Sequence, residues 1–346
     1  MYGFPEIQMC HAMKRIALNG LGRIGRLVLR QHLSGLPDSI ELVAANDLTP
    51  LDELAYLIQY DSVHGKAEFP IRSESDHLRV GDRRLTVLQE EDPAKLPWEE
   101  LGVDIVLECT GRFRWRKDAA KHLEAGASKV IISAPSESAD LMIVMGVNED
   151  KYNVKKHHVV SGASCTTNSL APVAKVLNEA FGIEYLMLTT IHAYTSSQKI
   201  VDMTARKRRR GRAAALSMIP SSTGAAKATT LVLPELRGKM DATAVRVPVA
   251  DGSLSDIVTH LKRDVSVKQL NAALREAAAG KLSGILEYNE DEIVSADIIG
   301  NTHSGIIDAP STRVLADRVA KVLVWYDNEY AYARRMLDLA SYMAEK

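Results

Sequence analysis

Asn19-Gly20-Leu21-Gly22-Arg23-Ile24-Gly25 (NGLGRIG) ends the strand-like run Lys14–Asn19 and opens a helical pattern over Arg23–Leu33. Its glycines have the spacing G-x-G-x-x-G, and each meets a separate steric demand. Gly20 permits a tight turn, Gly22 lets backbone approach a bound pyrophosphate, and Gly25 lets helix pack closely on strand. Free N–H groups at the start of the helix, aided by its dipole, hold the anion. Asp47 follows the next strand-like run, Glu41–Asn46. A carboxylate there accepts hydrogen bonds from an adenosine ribose diol and repels a 2′-phosphate. The alternative is a plain strand–turn–helix with a surface Asp, which requires none of this spacing. The pattern points to a dinucleotide cofactor, NAD in preference to NADP.

Outward from this turn, apolar runs alternate with helical patterns. Strand-like runs continue at Val103–Cys109, Lys129–Ser133, Leu141–Val147 and Val159–Ser161, with helical stretches at Leu51–Tyr60 and Arg116–Glu124. This alternation predicts an α/β parallel sheet with helices on its faces, a Rossmann-type unit. After Cys165 the rhythm changes. A helix is expected over Thr166–Phe181, with Leu170, Val173, Ala174, Leu177 and Phe181 on one face. Strands Tyr185–His192, Ala242–Val249 and Ala320–Trp325, a helix Val267–Ala279 and a helix beyond Asn328 follow. The expectation is a nucleotide-binding domain over residues 13–164, completed by the C-terminal helix 329–346. A second α+β domain with a mixed sheet covers 165–328.

Composition sets limits on function. The 346 residues are 46% hydrophobic and 25% charged, with a formal net charge of −1. That balance suits a soluble globular chain and gives no electrostatic reason to expect nucleic acid or an acidic membrane as partner. Cys10, Cys109 and Cys165 form no disulfide framework and no metal-ligand spacing, so no metal is expected. No run reaches the roughly 18 apolar residues of a membrane helix. Residues 1–12 lack a secretory pattern and read as a tail or an upstream start. A reducing, cytoplasmic setting follows as the expectation.

Ser164-Cys165-Thr166-Thr167-Asn168 sits where strand gives way to helix. A helix N-terminus favours thiolate over thiol, so Cys165 is a candidate nucleophile as well as a candidate buried structural cysteine. His192 closes a strand beside Ala193-Tyr194-Thr195. A Cys–His pair assembled by the fold would activate the thiol and shuttle protons.

Taken together, these segments resemble one family, the phosphorylating glyceraldehyde-3-phosphate dehydrogenases. The resemblance is carried by NGLGRIGR (Asn19–Arg26), SGASCTTNSLAP (Ser161–Pro172), TIHAYT (Thr190–Thr195), PSSTGAAKA (Pro220–Ala228), Arg246-Val247-Pro248 and WYDNE (Trp325–Glu329). It implies that Cys165 attacks an aldehyde and that His192 handles protons. Hydride then passes to NAD, and inorganic phosphate resolves a thioester. One phosphate pocket is implied at Thr195, Ser197 and Arg246, the other at Ser164, Thr166, Thr223 and Gly224. Arg23 and Ile24 would meet pyrophosphate through their backbone, with Ser133 and Asn328 on the nicotinamide side. The basic stretch Arg206–Arg212 would lie in a loop packed between the subunits of a homotetramer, rather than bind nucleic acid.

Several positions depart from the family pattern. Gly162 replaces Asn, Ser169 replaces a second Cys, and Ser197 replaces Thr. Glu91 stands where Arg is common near adenine, and Thr204 where NAD-specific members carry Pro, which leaves room for NADP. Val249–Gly252 (VADG) is also atypical. Two rival readings are an erythrose-4-phosphate dehydrogenase and a non-catalytic binding protein on the same fold. Ser222–Lys227 (STGAAK) weighs against the first, and retention of Cys165, His192 and Arg246 against the second.

Overall fold

The glycine turn lies at the centre of a nine-stranded sheet. The computed structural model describes residues 13–35 and 38–346, so Cys10 and the expected tail lie outside the described residues. Strand Lys14–Asn19 pairs in parallel with Ile40–Asn46 on one side and Ile105–Glu108 on the other. Lys129–Ile132, Val159–Ser161 and Leu141–Met142 extend the second side, all parallel. Arg83–Leu88 extends the first side in parallel, and an antiparallel hairpin, Ile71–Glu74 with His77–Val80, finishes it. Chain order therefore reverses between Lys14–Asn19 and Ile105–Glu108. In open α/β sheets a crevice forms at the carboxyl ends of the strands at such a point. Helix Arg23–Leu33 buries Leu27, Val28 and Leu29 in this core, and the terminal helix Tyr330–Ala344 adds Met336, Leu337 and Ala340 to it.

The second sheet has seven strands and mixed directions. Ile183–Ala193 lies inside it, parallel to Met240–Val247 and antiparallel to Ser253–Leu261, the middle strand. Val319–Tyr326 and Gly305–Leu315 continue it antiparallel, Leu286–Asn289 closes one edge in parallel, and Ile219–Ser222 closes the other. Helix Cys165–Phe181 supplies Leu170, Val173, Ala174 and Leu177 to the core against this sheet, the stripe expected from its periodicity. Helix Val267–Ala279 begins at a reciprocal cap between Ser266 and Gln269, which satisfies donors that its first turn leaves open.

Two expected elements are corrected. Leu141–Val147 is a strand only over Leu141–Met142. The Asn148 side chain accepts from Val144 N–H at 2.9 Å and donates to Met142 C=O at 2.9 Å, so a turn replaces the ladder. Arg116–Glu124 is two short helices, Arg116–Ala119 and Lys121–Glu124. The chain tightens at Ala120, whose carbonyl accepts from Leu123 N–H at 2.9 Å, three residues on.

Candidate active site

Gly20 has φ +97°, and a Cβ there would fall 2.7 Å from Thr110 N. A Cβ on Gly25 would fall 2.0 Å from Gly20 O. Both glycines are thus demanded by the protein itself. Gly22 is different: a Cβ there meets nothing within 4 Å and would project into an open cleft. That cleft, about 240 Å³, is lined by Asn19, Gly20, Gly22, Asp47, Glu91 and Thr110 among others. No side chain caps helix Arg23–Leu33, so its first-turn donors, including those of Ile24 and Gly25, suit an anion. The Arg23 guanidinium turns to Asp61 and Glu329, which leaves its backbone for such a ligand. Asp47 accepts from Leu21 N–H at 2.6 Å and Thr49 N–H at 2.9 Å, so it braces the glycine turn while lining the cleft. A dinucleotide fits this donor set and the space over Gly22. Ser133 lies at the end of strand Lys129–Ile132, its N–H bonded to Glu108 C=O at 2.9 Å. Asn328 Oδ1 accepts from Ser253 Oγ at 2.5 Å, which fixes the amide and turns its Nδ2 donor the other way.

The second set of residues gathers at the start of helix Cys165–Phe181. Ala163 carries a left-handed backbone (φ +59°), a conformation that costs a residue with a Cβ about 1–2 kcal/mol. Tyr332 OH, from the terminal helix, donates to Ala163 C=O at 2.9 Å and holds this turn. Ser164 caps the helix by accepting from Thr167 N–H at 3.1 Å. Cys165 is then the first helical residue, and its Sγ lies 3.6 Å from His192 Nε2. On the other side of the imidazole, Nδ1 lies 2.7 Å from Ala193 C=O and 2.7 Å from Arg246 Nη1. The carbonyl favours a proton on Nδ1, leaving Nε2 free to take one from sulfur. The guanidinium favours the other tautomer, with the proton on Nε2 facing sulfur. One imidazole is therefore placed to act in both directions.

Burial opposes charge on both members of the pair. Burial, seconded by the Arg246 charge, pushes His192 down to about 3. Burial pushes the Cys165 thiol up, and Arg246 and the Thr166 hydrogen bonds oppose it. Tyr326 OH, behind the cysteine, lies 3.0 Å from Thr166 Oγ1 and 2.8 Å from Thr190 Oγ1.

The expected anion-binding residues fall into two states. Thr195 and Ser197 are paired, Oγ1 to Oγ at 2.9 Å, and Arg210 Nη1 donates to Ser197 at 3.4 Å. Arg246 stands between strand and His192 as described, so this group offers two hydroxyls and guanidinium charge. In the other group, Ser164 and Thr166 already spend their hydroxyls on the helix cap and on Tyr326. Thr223 Oγ1 accepts from Ala225 N–H at 3.2 Å, and Gly224 opens helix Ala225–Val232 with empty space at its Cβ position.

Residues 14–116 match the model for the glyceraldehyde 3-phosphate dehydrogenase NAD binding domain, and residues 164–328 the model for its C-terminal domain. The chain belongs to the glyceraldehyde-3-phosphate dehydrogenase family. Relatives include the glyceraldehyde-3-phosphate dehydrogenase of Geobacillus stearothermophilus, 54% identical over 96% of this chain and 98% of that protein. Glyceraldehyde-3-phosphate dehydrogenase 1 of Bacillus subtilis is also 54% identical, over the same shares. Glyceraldehyde-3-phosphate dehydrogenase 2 of Streptomyces avermitilis is 48% identical over 96% of this chain and 99% of its own.

Within this glyceraldehyde-3-phosphate dehydrogenase fold, several departures have a structural reason. A Cβ at Gly162 would fall 2.9 Å from Met336 Sδ, so the terminal helix packs where a larger residue would stand. Gly252 has φ +86°, and a Cβ there would meet Ser295 O at 2.4 Å. Asp251 is buried, 3.4 Å from His64 Nε2, so the atypical VADG stretch forms part of a charged contact with the hairpin turn that carries His64. Glu91 pairs with Arg112 at 3.5 Å at the cleft rim. Ser169 lies buried one turn beyond Cys165, and Thr204 is exposed. Reading the sequence missed Glu108, His122 and Asn46, which lie beneath the cofactor cleft. An acidic residue ending an apolar run, as Glu108 does in IVLE, was the available signal.

Proposed function

We propose that this chain oxidises glyceraldehyde 3-phosphate to 1,3-bisphosphoglycerate, with NAD and inorganic phosphate as co-substrates, in glycolysis and gluconeogenesis. The observation that carries the reading is Cys165 Sγ, 3.6 Å from His192 Nε2 at a helix N-terminus. His192 takes the thiol proton through Nε2 as sulfur adds to the aldehyde carbon. It returns that proton to the new oxyanion, giving a thiohemiacetal. Bound NAD supplies the hydride acceptor. As hydride leaves carbon, His192 removes the hydroxyl proton, and a thioester remains on Cys165. A phosphate oxygen then attacks the acyl carbon, the C–S bond breaks, and the acyl phosphate departs as His192 gives its proton to the Cys165 sulfur, restoring the thiol and the neutral imidazole. Thr195, Ser197 and Arg246 hold one phosphate; Thr223, Gly224 and the start of helix Cys165–Phe181, with Ser164 and Thr166, hold the other.

Arg23, Ile24 and Gly25 hold the pyrophosphate through backbone N–H groups, over Gly20 and Gly22. Ser133 and Asn328 orient the carboxamide, with Ser253 setting which end of the Asn328 amide faces it. Asp47 selects NAD over NADP by charge, since a 2′-phosphate would lie against a carboxylate. Residues 13–164 with helix 329–346 act as the cofactor domain and 165–328 as the catalytic domain. A homotetramer is inferred from the exposed apolar loop that carries Ile200 (84% exposed) and Leu216 (85%) beside the basic stretch Arg206–Arg212. The decisive assay follows NADH formation from glyceraldehyde 3-phosphate with and without phosphate, beside erythrose 4-phosphate and NADP. Phosphate-dependent turnover of the three-carbon aldehyde is expected. Preference for the four-carbon substrate without phosphate dependence would overturn the reading.

A further inference from the structure

At the floor of the cofactor cleft, which Asn19 and Asn46 help to line, runs a buried chain of hydrogen bonds. Its anchor is Glu108, a carboxylate at the end of strand Ile105–Glu108 and 1% exposed. It accepts from Asn19 Nδ2 at 2.5 Å, from His122 Nε2 at 3.1 Å and from Thr110 N–H at 2.8 Å, and also from the Thr110 hydroxyl. His122 Nδ1 accepts from Trp98 Nε1 at 2.9 Å, so the neutral ring must carry its proton on Nε2, facing Glu108. From Asn19 the chain continues: Asn46 Nδ2 donates to Asn19 Oδ1 at 2.7 Å and to Glu90 C=O at 2.9 Å. Glu90 N–H donates back to Asn46 Oδ1 at 2.8 Å. Glu108, Asn19, Asn46 and the segment after Arg83–Leu88 thus tie together the carboxyl ends of four neighbouring strands.

A buried carboxylate is costly unless its oxygens are hydrogen-bonded, and this one is saturated by donors. Those donors belong to residues that shape the cleft. Asn19 precedes Gly20, whose N–H donates to Asn46 C=O at 2.8 Å. Thr110 is the backbone against which Gly20 has no room for a Cβ. Asn46 precedes Asp47, whose N–H donates to Leu88 C=O at 3.0 Å. We propose that Glu108, Asn19 and Asn46 form a buried positioning chain that sets the placement of Gly20 and Asp47, and hence the grip on the adenosine half of the dinucleotide. This rests on the cofactor reading above. The three residues are positioning residues, and neither Cys165 nor His192 is bonded to them.

The test is cofactor binding by Glu108→Gln and Asn46→Ala, titrating the full-length protein with NAD and with ADP-ribose by calorimetry. Glu108→Gln sets an amide donor against the Asn19 and His122 donors, and Asn46→Ala cuts the chain at its middle. Each variant should weaken NAD and ADP-ribose in parallel by about tenfold or more, the size of one unsatisfied buried polar group. kcat at saturating NAD should fall less than about threefold, and the ratio of NADP to NAD dissociation constants should narrow in Asn46→Ala. Unchanged NAD affinity in both variants, or a loss confined to kcat, would overturn the positioning chain while leaving the cofactor reading intact. A wild-type protein that does not bind NAD would overturn both. Failure of both variants to give a native circular-dichroism spectrum would also count against it, because the chain would then serve the fold rather than the cleft.

Discussion

Burial opposes charge on both Cys165 and His192, so the proposed catalysis would depend on a proton moving between them over one contact. Replacing Cys165 with Ser removes the soft nucleophile and should lower dehydrogenase activity by about 10³-fold or more while NAD titration is little changed. Full oxidation by that variant would rule out a covalent route. His192→Asn should slow NADH formation in a single turnover by about 10²–10⁴-fold; an unaltered burst would remove its role. The low value of His192, about 3, also has a stability consequence. The unfolded chain takes up a proton near pH 6.5 and the folded one does not. Stability is therefore full above that pH and is lost as pH falls from about 6.5 toward 3. The difference in melting temperature between wild type and His192→Asn should shift against the wild type as pH drops from 8 to 5.

At the scale of elements, charge as well as packing joins the hairpin 60–66 to the turn before strand Ser253–Leu261 and to the start of the terminal helix. His64, in the hairpin after helix Leu51–Gln59, lies 3.4 Å from both Asp251 and Glu329. Burial alone would lower its affinity for a proton, but the two carboxylates outweigh it and hold it at about 9. The folded value exceeds the unfolded one. This contribution is complete below about pH 6.5 and disappears as pH rises through about 9. His64→Gln should therefore be less stable than wild type at pH 6, and the gap should close by pH 10 in denaturant melts. Gly162 is the packing counterpart. Gly162→Asn drives a side chain into Met336 and should cost about 1–3 kcal/mol of stability by urea unfolding. Some elements were legible from pattern alone. Helix Cys165–Phe181 was, because its apolar stripe matches its buried face. Strand Ser253–Leu261 was not: its buried positions are Ser253, Ser255, Ile257, Thr259 and Leu261, three of them hydroxylic. Its apolar residues, Leu254, Ile257, Val258 and Leu261, fall at helical spacing instead.

Across the whole molecule, the terminal helix belongs to the first core although it is last in the chain. Met336 and Leu337 pack with Leu27 and Val28, and Tyr332 reaches the turn before Cys165. Among the described residues no helix is long and apolar enough to cross a membrane. The exposed apolar loop carries the expectation of self-association. Replacing Ile200 and Leu216 together with Asp should shift the species seen by light scattering from about four chains toward fewer, since two charges would be buried without partners. An unchanged mass would place the subunit contact elsewhere.

The sequence by itself determined the glycine turn, the helix that begins beside Cys165 and the alternation of strand and helix in the first domain. These rest on local demands: positive φ, a free helix end and a repeating apolar period. The tertiary structure alone decided that His192 faces Cys165 at 3.6 Å, that Arg246 backs the imidazole, and that Glu108 ties together the strands under the cofactor cleft. Those contacts join residues 27, 54 and 89 positions apart. No local period records such pairings; they arise when strand order in two sheets brings distant strand ends side by side.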